Sequence, residues 1–208
     1  MIYIYGDSHA LFSFNNLNIS NNNLYKFSTT MFRIGRDNVI INFNKDIIQK
    51  NDIIILSYGE IDCRCHIQRQ INLGRNEDDV INDLVNNYIK TIKSNTNNLD
   101  VIIIIVGIIP PTRRYDYENL YGAINENLHP FVGSDEKRVI YTNKMNNLLE
   151  KMSINNNYIY FNPYSYYTRA DGTLKYNLSD RTVHLGDNTF FLERFIDLYT
   201  KINSQYTN

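Results

Sequence analysis

The sequence predicts an α/β protein: a three-layer α/β/α sandwich around a flavodoxin-like parallel sheet. Three observations carry this. Short β-prone runs alternate with helix-patterned stretches along the chain. Two of those runs, residues 53–56 and 101–106, are apolar at every position, as strands covered on both faces are. Polar residues gather just after each run, where the carboxyl ends of parallel strands share one edge.

Each element has a local reason. Residues 2–5, Ile-Tyr-Ile-Tyr, form a first strand stopped by Gly6. Residues 15–23 are an Asn-rich loop, and 24–30 are expected as a second strand. Residues 43–50 place Phe43, Ile47 and Ile48 at helical spacing. The strand at 53–56 is bounded by Asp52 and Gly59. Residues 77–92 carry Val80, Ile81, Leu84, Val85, Tyr88 and Ile92 on one stripe, the pattern of an amphipathic helix. The strand at 101–106 ends at Gly107 and Pro110-Pro111. Residues 112–133, rich in Tyr and charge, are the longest irregular stretch and a candidate lid. A helix over 134–152 starts with Ser134 as N-cap before Asp135 and Glu136. Residues 158–161 form a strand stopped at Pro163, and 188–202 a closing helix with Phe191, Phe195, Leu198 and Ile202 on one face. No repeat or linker interrupts the pattern, so residues 1–208 are expected as a single domain.

Composition narrows the function classes. Net charge is −1, which gives no general basic field for a nucleic-acid backbone. The longest apolar run is far too short to span a bilayer, and the first residues lack the basic and apolar regions of a signal peptide. The expectation is a cytoplasmic protein without a membrane span. The oligomeric state is left open. Seventeen Tyr, no Trp and abundant Asn fit A/T-rich codon usage better than a functional demand. Cys63 and Cys65, the only cysteines, are too close for an ordinary disulfide and are expected as small buried thiols. Cys63-Arg64-Cys65-His66 invites a metal reading, but no second Cys/His cluster completes a ligand set, so neither metal nor cofactor is expected.

The chemistry-bearing residues follow the strands. Asp7, Ser8 and His9 come after the first. Gly59, Glu60, Asp62, Arg64 and His66 follow the run at 53–56. Thr112, Arg113 and Arg114 follow the run at 101–106, and Tyr164, Tyr166 and Tyr167 the run at 158–161. A serine on a tight turn after Gly6 presents its hydroxyl to solvent, but it needs a neighbouring base to act as a nucleophile. Of the four histidines, His184 stands before the last helix with Asp180 four residues upstream. The order Ser, Asp, His is that of many α/β serine hydrolases. Bland alternatives stand beside these roles. Ser8 can cap a helix, Asp180 can close an Asx-type turn, and Glu60, Asp62 and Arg64 can form a structural ion-pair network.

Gly6-Asp7-Ser8-His9 resembles the first block of the SGNH/GDSL hydrolase superfamily. Gly35, in Phe32-Arg33-Ile34-Gly35-Arg36, sits where that family's oxyanion-hole Gly falls. Gly59-Glu60-Ile61-Asp62 resembles its Gly-x-Asn-Asp block, and Asp180 to His184-Leu185 its C-terminal Asp/His block. The resemblance implies ester hydrolysis through a Ser8 acyl-enzyme, with His184 as base and Asp180 orienting it. Two departures stand out. Ile61 replaces the family's oxyanion Asn and cannot donate a hydrogen bond, which leaves Ser8 and Gly35 as backbone donors and Arg64 as the substitute, ahead of His66 and Asn38. Asp180 lies four residues before His184 where the family places it three before. Asp7, His9, Glu60, Asp62, His66 and Arg113 are candidate substrate-binding residues. The expected substrate is a small-molecule or glycan ester, an O-acetyl group on a carbohydrate above all. A sugar O-acyltransferase with the same nucleophile, and a non-catalytic glycan-binding domain, are the alternatives.

Overall fold

The computed structural model describes residues 1–125 and 130–206. Five parallel strands form one sheet in the order β2-β1-β3-β4-β5, the flavodoxin-like order. They are β1 (Ile2–Gly6), β2 (Asn21–Asn23), β3 (Ile53–Ser57), β4 (Ile102–Val106) and β5 (Ile159–Phe161). Register aligns Ile4 with Ile55 and Ile55 with Ile104, so the three central strands stack Ile on Ile. Every residue of β1, β3 and β4 is buried.

Alternation splits these residues between two cores. Tyr3, Tyr5, Ile54, Leu56, Ile103 and Ile105 face one side. There α2 (Met31–Asp37), α4 (Glu77–Thr96) and α6 (Asp135–Asn155) cover the sheet. Ile2, Ile4, Ile53, Ile55, Ile102 and Ile104 face the other, under α1 (Ser8–Phe14) and α7 (Thr189–Tyr206). Ser134 caps α6 as expected, accepting from the Lys137 amide, and Asn76 caps α4. No helix among the described residues is long and apolar enough to cross a membrane.

Several local expectations fail. The edge strand is the Asn21–Asn23 run, not 24–30. An edge strand is held by backbone hydrogen bonds alone, so its side chains need not be apolar. Leu24 and Lys26 still donate to Ile4 and Gly6 carbonyls, which carries the 24–30 segment along the end of β1. Residues 43–50 form only a short 3-10 turn, Lys45–Ile47. The candidate lid contains α5 (Arg114–Tyr121), and its residues 126–129, with His129 among them, lie outside the described residues. After β3 the chain makes a wide π-type turn over Asp62–His66 and continues into α3 (Ile67–Asn72).

Candidate active site

Gly6 sets the first part of the site. A Cβ there would fall 2.2 Å from Ala10 Cβ and 2.8 Å from the Ser57 carbonyl oxygen, so only glycine lets β1 turn directly into α1. Asp7 then caps α1, accepting the His9 amide at 2.8 Å. Ser8 is the first residue of α1 and half-buried, and its N–H has no acceptor within the helix.

The partner of the Ser8 hydroxyl comes from 176 residues further along the chain. His184 Nε2 lies 2.9 Å from Ser8 Oγ, and His184 Nδ1 lies 2.9 Å from Asp180 Oδ2. Asp180 Oδ1 also accepts from the Thr182 amide at 2.7 Å and the His184 amide at 3.1 Å, while the Asp180 N–H donates to the His184 carbonyl. These bonds make the 180–184 segment a closed turn. The residue in excess of the expected three-residue gap is absorbed by Arg181, which adopts φ 72°. Phe12 stacks on the imidazole with ring centroids 4.2 Å apart and planes 8° apart. His184 and Asp180 side chains are 15% and 17% exposed, open enough to be reached and covered enough to be fixed. Asp180 is held below the ordinary carboxylate range. Burial opposes this, and the bonds from His184 and Thr182 outweigh it.

The other expected site residues fall into a buried network and two outlying places. Asp7, His9, Glu60, Asp62 and Arg64 are each at most 7% exposed. Asp7, His9, Glu60 and Arg64 are linked to one another, while Asp62 turns to the amides of α2. Arg64 Nε donates to both Glu60 oxygens at 2.8 and 3.1 Å and its Nη1 to the Pro130 carbonyl, so Glu60 and Pro130 hold its guanidinium. Asp62 accepts the Met31 and Phe32 amides at 2.7 and 3.2 Å and so caps α2. Burial pushes its carboxyl up to about 7 despite those two donors.

Gly35 is placed by helix packing. It lies inside α2, where a Cβ would meet Asn87 Cβ at 2.8 Å, so it is a contact glycine that lets α2 approach α4. His66 stacks on Phe32 at 4.3 Å and lines a cleft with Gly35 and Arg75, apart from the serine. Arg113 pairs with Asp171 at 2.5 Å. Asn38 ends α2 and accepts from Ser94. Sequence reasoning missed two parts of the site. One is Phe12, whose signal was an aromatic one turn after the serine. The other is the 26–30 loop, which the Lys26–Gly6 bond of 2.8 Å ties beside the end of β1. Ser28 there takes φ 58°, just before the Thr30 N-cap of α2.

No family model and no curated protein sequence matches the chain. Solved structures do. A Streptococcus pneumonia protein described as a platelet activating factor superposes with a TM-score of 0.65 at 16% identity, over 97% of this chain and 83% of that one. A GDSL-like lipase from Bacteroides thetaiotaomicron superposes with a TM-score of 0.59 at 10% identity, over 98% and 88%. The fold is that of the GDSL lipolytic hydrolases. The OSK domain of Drosophila Oskar also superposes on this chain, at a TM-score of 0.57 and 12% identity over 93% and 86%. Identities this low carry the fold alone, so activity has to be argued from the side chains.

Proposed function

We propose that this protein is a serine esterase that removes an acyl group, above all an O-acetyl group from a carbohydrate, through a Ser8 acyl-enzyme. One observation carries the reading: the continuous chain Asp180–His184–Ser8, with both links at 2.9 Å. His184 Nε2 takes the Ser8 proton as Ser8 Oγ bonds to the ester carbonyl carbon. The carbonyl electron pair moves to oxygen, and Asp180 stabilises the imidazolium that forms. Collapse of the tetrahedral intermediate breaks the bond to the leaving alcohol, which receives the proton from His184. Water, deprotonated by the same nitrogen, then releases the acid and restores Ser8.

The oxyanion faces backbone. Its donors are the Ser8 N–H and, in place of Gly35, an amide of the loop around Ser28 held beside β1. Ile61 supplies no third donor, and loss of one such donor typically costs on the order of a hundredfold or more in rate. Turnover is accordingly modest. The carbohydrate part rests on a cleft at the carboxyl ends of β4 and β5. It has a volume of ≈ 460 Å³ and is lined by Asn143, Asn146, Asn162, Ser165, Thr168 and Arg169 beside the apolar Ile108 and Pro110; Ser8 and His184 do not line it, and Tyr164 is the wall it shares with the small cavity of Asp7 and His9. The cleft's amides and hydroxyls match sugar hydroxyls better than an acyl tail, and its size falls within the roughly 300–1,000 Å³ of small-molecule sites.

Ser8→Ala abolishes p-nitrophenyl acetate turnover and fluorophosphonate labelling while the fold persists; retained turnover removes the reading. Product analysis with and without an acceptor sugar separates hydrolysis from acyl transfer. Ile61 favours a second reading, a glycan-binding domain without turnover. That reading predicts saturable sugar binding with Ser8 unlabelled.

A further inference from the structure

A buried cluster of charges lies directly against the Ser8–His184 pair, and the hydrolysis described above makes no direct use of it. Its centre is His9, 5% exposed, whose ring centroid is 4.7 Å from that of His184. His9 Nδ1 is 3.1 Å from Asp7 Oδ1. Its Nε2 stands 3.3 Å from Glu60 Oε2, at ion-pair distance though off the angle of a hydrogen bond. Arg64 holds Glu60 from behind. Tyr58 and Tyr164 close the cavity around Asp7, His9 and Glu60, and burial keeps both phenols protonated. Asp62 points its carboxylate away, at the amides of α2.

Charge counting within this cluster leaves one vacancy. Asp7 and Glu60 bring two negative charges and Arg64 one positive; Arg138, which also faces Glu60, is matched by Asp135, and Asp62 is held by the α2 amides. A neutral His9 therefore leaves a buried carboxylate uncompensated, which is costly in a low-dielectric interior. A protonated His9 closes the account. Burial opposes that proton, but Glu60 and Asp7 outweigh both burial and Arg64, and His9 titrates above the ordinary histidine range.

We propose that His9 is a positioning residue for the reaction: an imidazolium clamped between Asp7 and Glu60, it neutralises the carboxylates that face His184, so that Asp180 governs the charge on the base. The proposal rests on the reading of His184 as the base. A base must be uncharged to accept the Ser8 proton. Without the His9 charge, the net negative charge of the cluster draws a proton onto the neighbouring imidazole. The Phe12 ring on His184 carries no charge to oppose it.

Two experiments test this. The first needs no substrate. Nitrogen-15 imidazole spectra of the intact protein at pH 7 show His9 with both ring nitrogens protonated; a neutral His9 overturns the proposal, whether or not the protein turns over esters. The second is the pH profile of kcat/KM on p-nitrophenyl acetate. In His9→Gln the acid-side fall of activity moves to higher pH by about half to one unit, as expected for loss of one nearby charge. Adding Glu60→Gln moves it back. A profile that drops by the same factor at every pH marks His9 as mere packing and sinks the idea. If the wild-type protein turns over nothing, the esterase reading fails and the imidazole spectra still decide the state of His9.

Discussion

The sharpest test of the site is Asp180→Asn, because the surrounding hydrogen bonds dictate how an amide must sit. Asp180 Oδ1 accepts two backbone N–H groups, from Thr182 at 2.7 Å and His184 at 3.1 Å. An Asn must therefore place its carbonyl oxygen there. Its NH2 then falls where Oδ2 was, 2.9 Å from His184 Nδ1. An NH2 can only donate, so Nδ1 becomes the acceptor and the imidazole proton moves to Nε2. Nε2, 2.9 Å from Ser8 Oγ, then has no lone pair for the serine proton. The turn survives and the tautomer is wrong. The corresponding change in serine proteases costs about four orders of magnitude in kcat, or about 5 kcal/mol of barrier. The same loss is expected here in p-nitrophenyl acetate hydrolysis, with far-UV circular dichroism and melting temperature close to wild type. An Asn variant within tenfold of wild type refutes the argument, since it means that Asp180 neither selects the tautomer nor supports the imidazolium.

Two further predictions address residues whose roles the structure changed. Asp62 titrates near 7 in the folded protein because it is buried, and near 4 when unfolded. Its contribution to stability is therefore complete below pH 4 and is lost as pH rises toward 7. In Asp62→Asn the NH2 faces one of the two α2 amides, a cost that does not depend on pH; on top of it the variant should gain on wild type by about 3–4 kcal/mol between pH 4 and pH 8 in urea denaturation, and a difference that does not vary with pH contradicts this. Gly35→Ala forces a Cβ onto Asn87 at 2.8 Å, an overpacking cost of about 1–3 kcal/mol. Its melting temperature should fall by at least 2 °C or so for a chain of this size, while the folded fraction keeps its specific activity. A selective loss of kcat without destabilisation restores Gly35 to the oxyanion hole.

The legible parts of the fold were those where burial dictates residue type. β3 and β4 are covered on both faces, so their apolar runs betray them, and the stripes of α4 and α7 follow from one-sided burial. The β2 edge was illegible because Asn21–Asn23 pairs through its backbone and buries little. At the site, the Ser8–His184–Asp180 contacts were legible because such chemistry demands particular residues. The proposed oxyanion amide was not, since a backbone N–H can come from any residue. Spacing placed it at a glycine, Gly35, that serves helix packing. Arg64 looked like a spare donor only because sequence does not show Glu60 and Pro130 already holding it.

Ser8 and His184 are 176 residues apart in the chain. The loop that carries His184 is pinned to α1 by one side chain, with Asn188 Nδ2 donating to the carbonyls of Phe12, Ser13 and Asn15. During synthesis Ser8 leaves the ribosome 176 residues ahead of His184. Until His184 has emerged and docked, Ser8 stands without this proton acceptor. The reverse holds for decay. Any opening that frees the Asn188 clip separates base from nucleophile before the sheet is disturbed, so loss of activity should precede loss of β-structure on gentle denaturation.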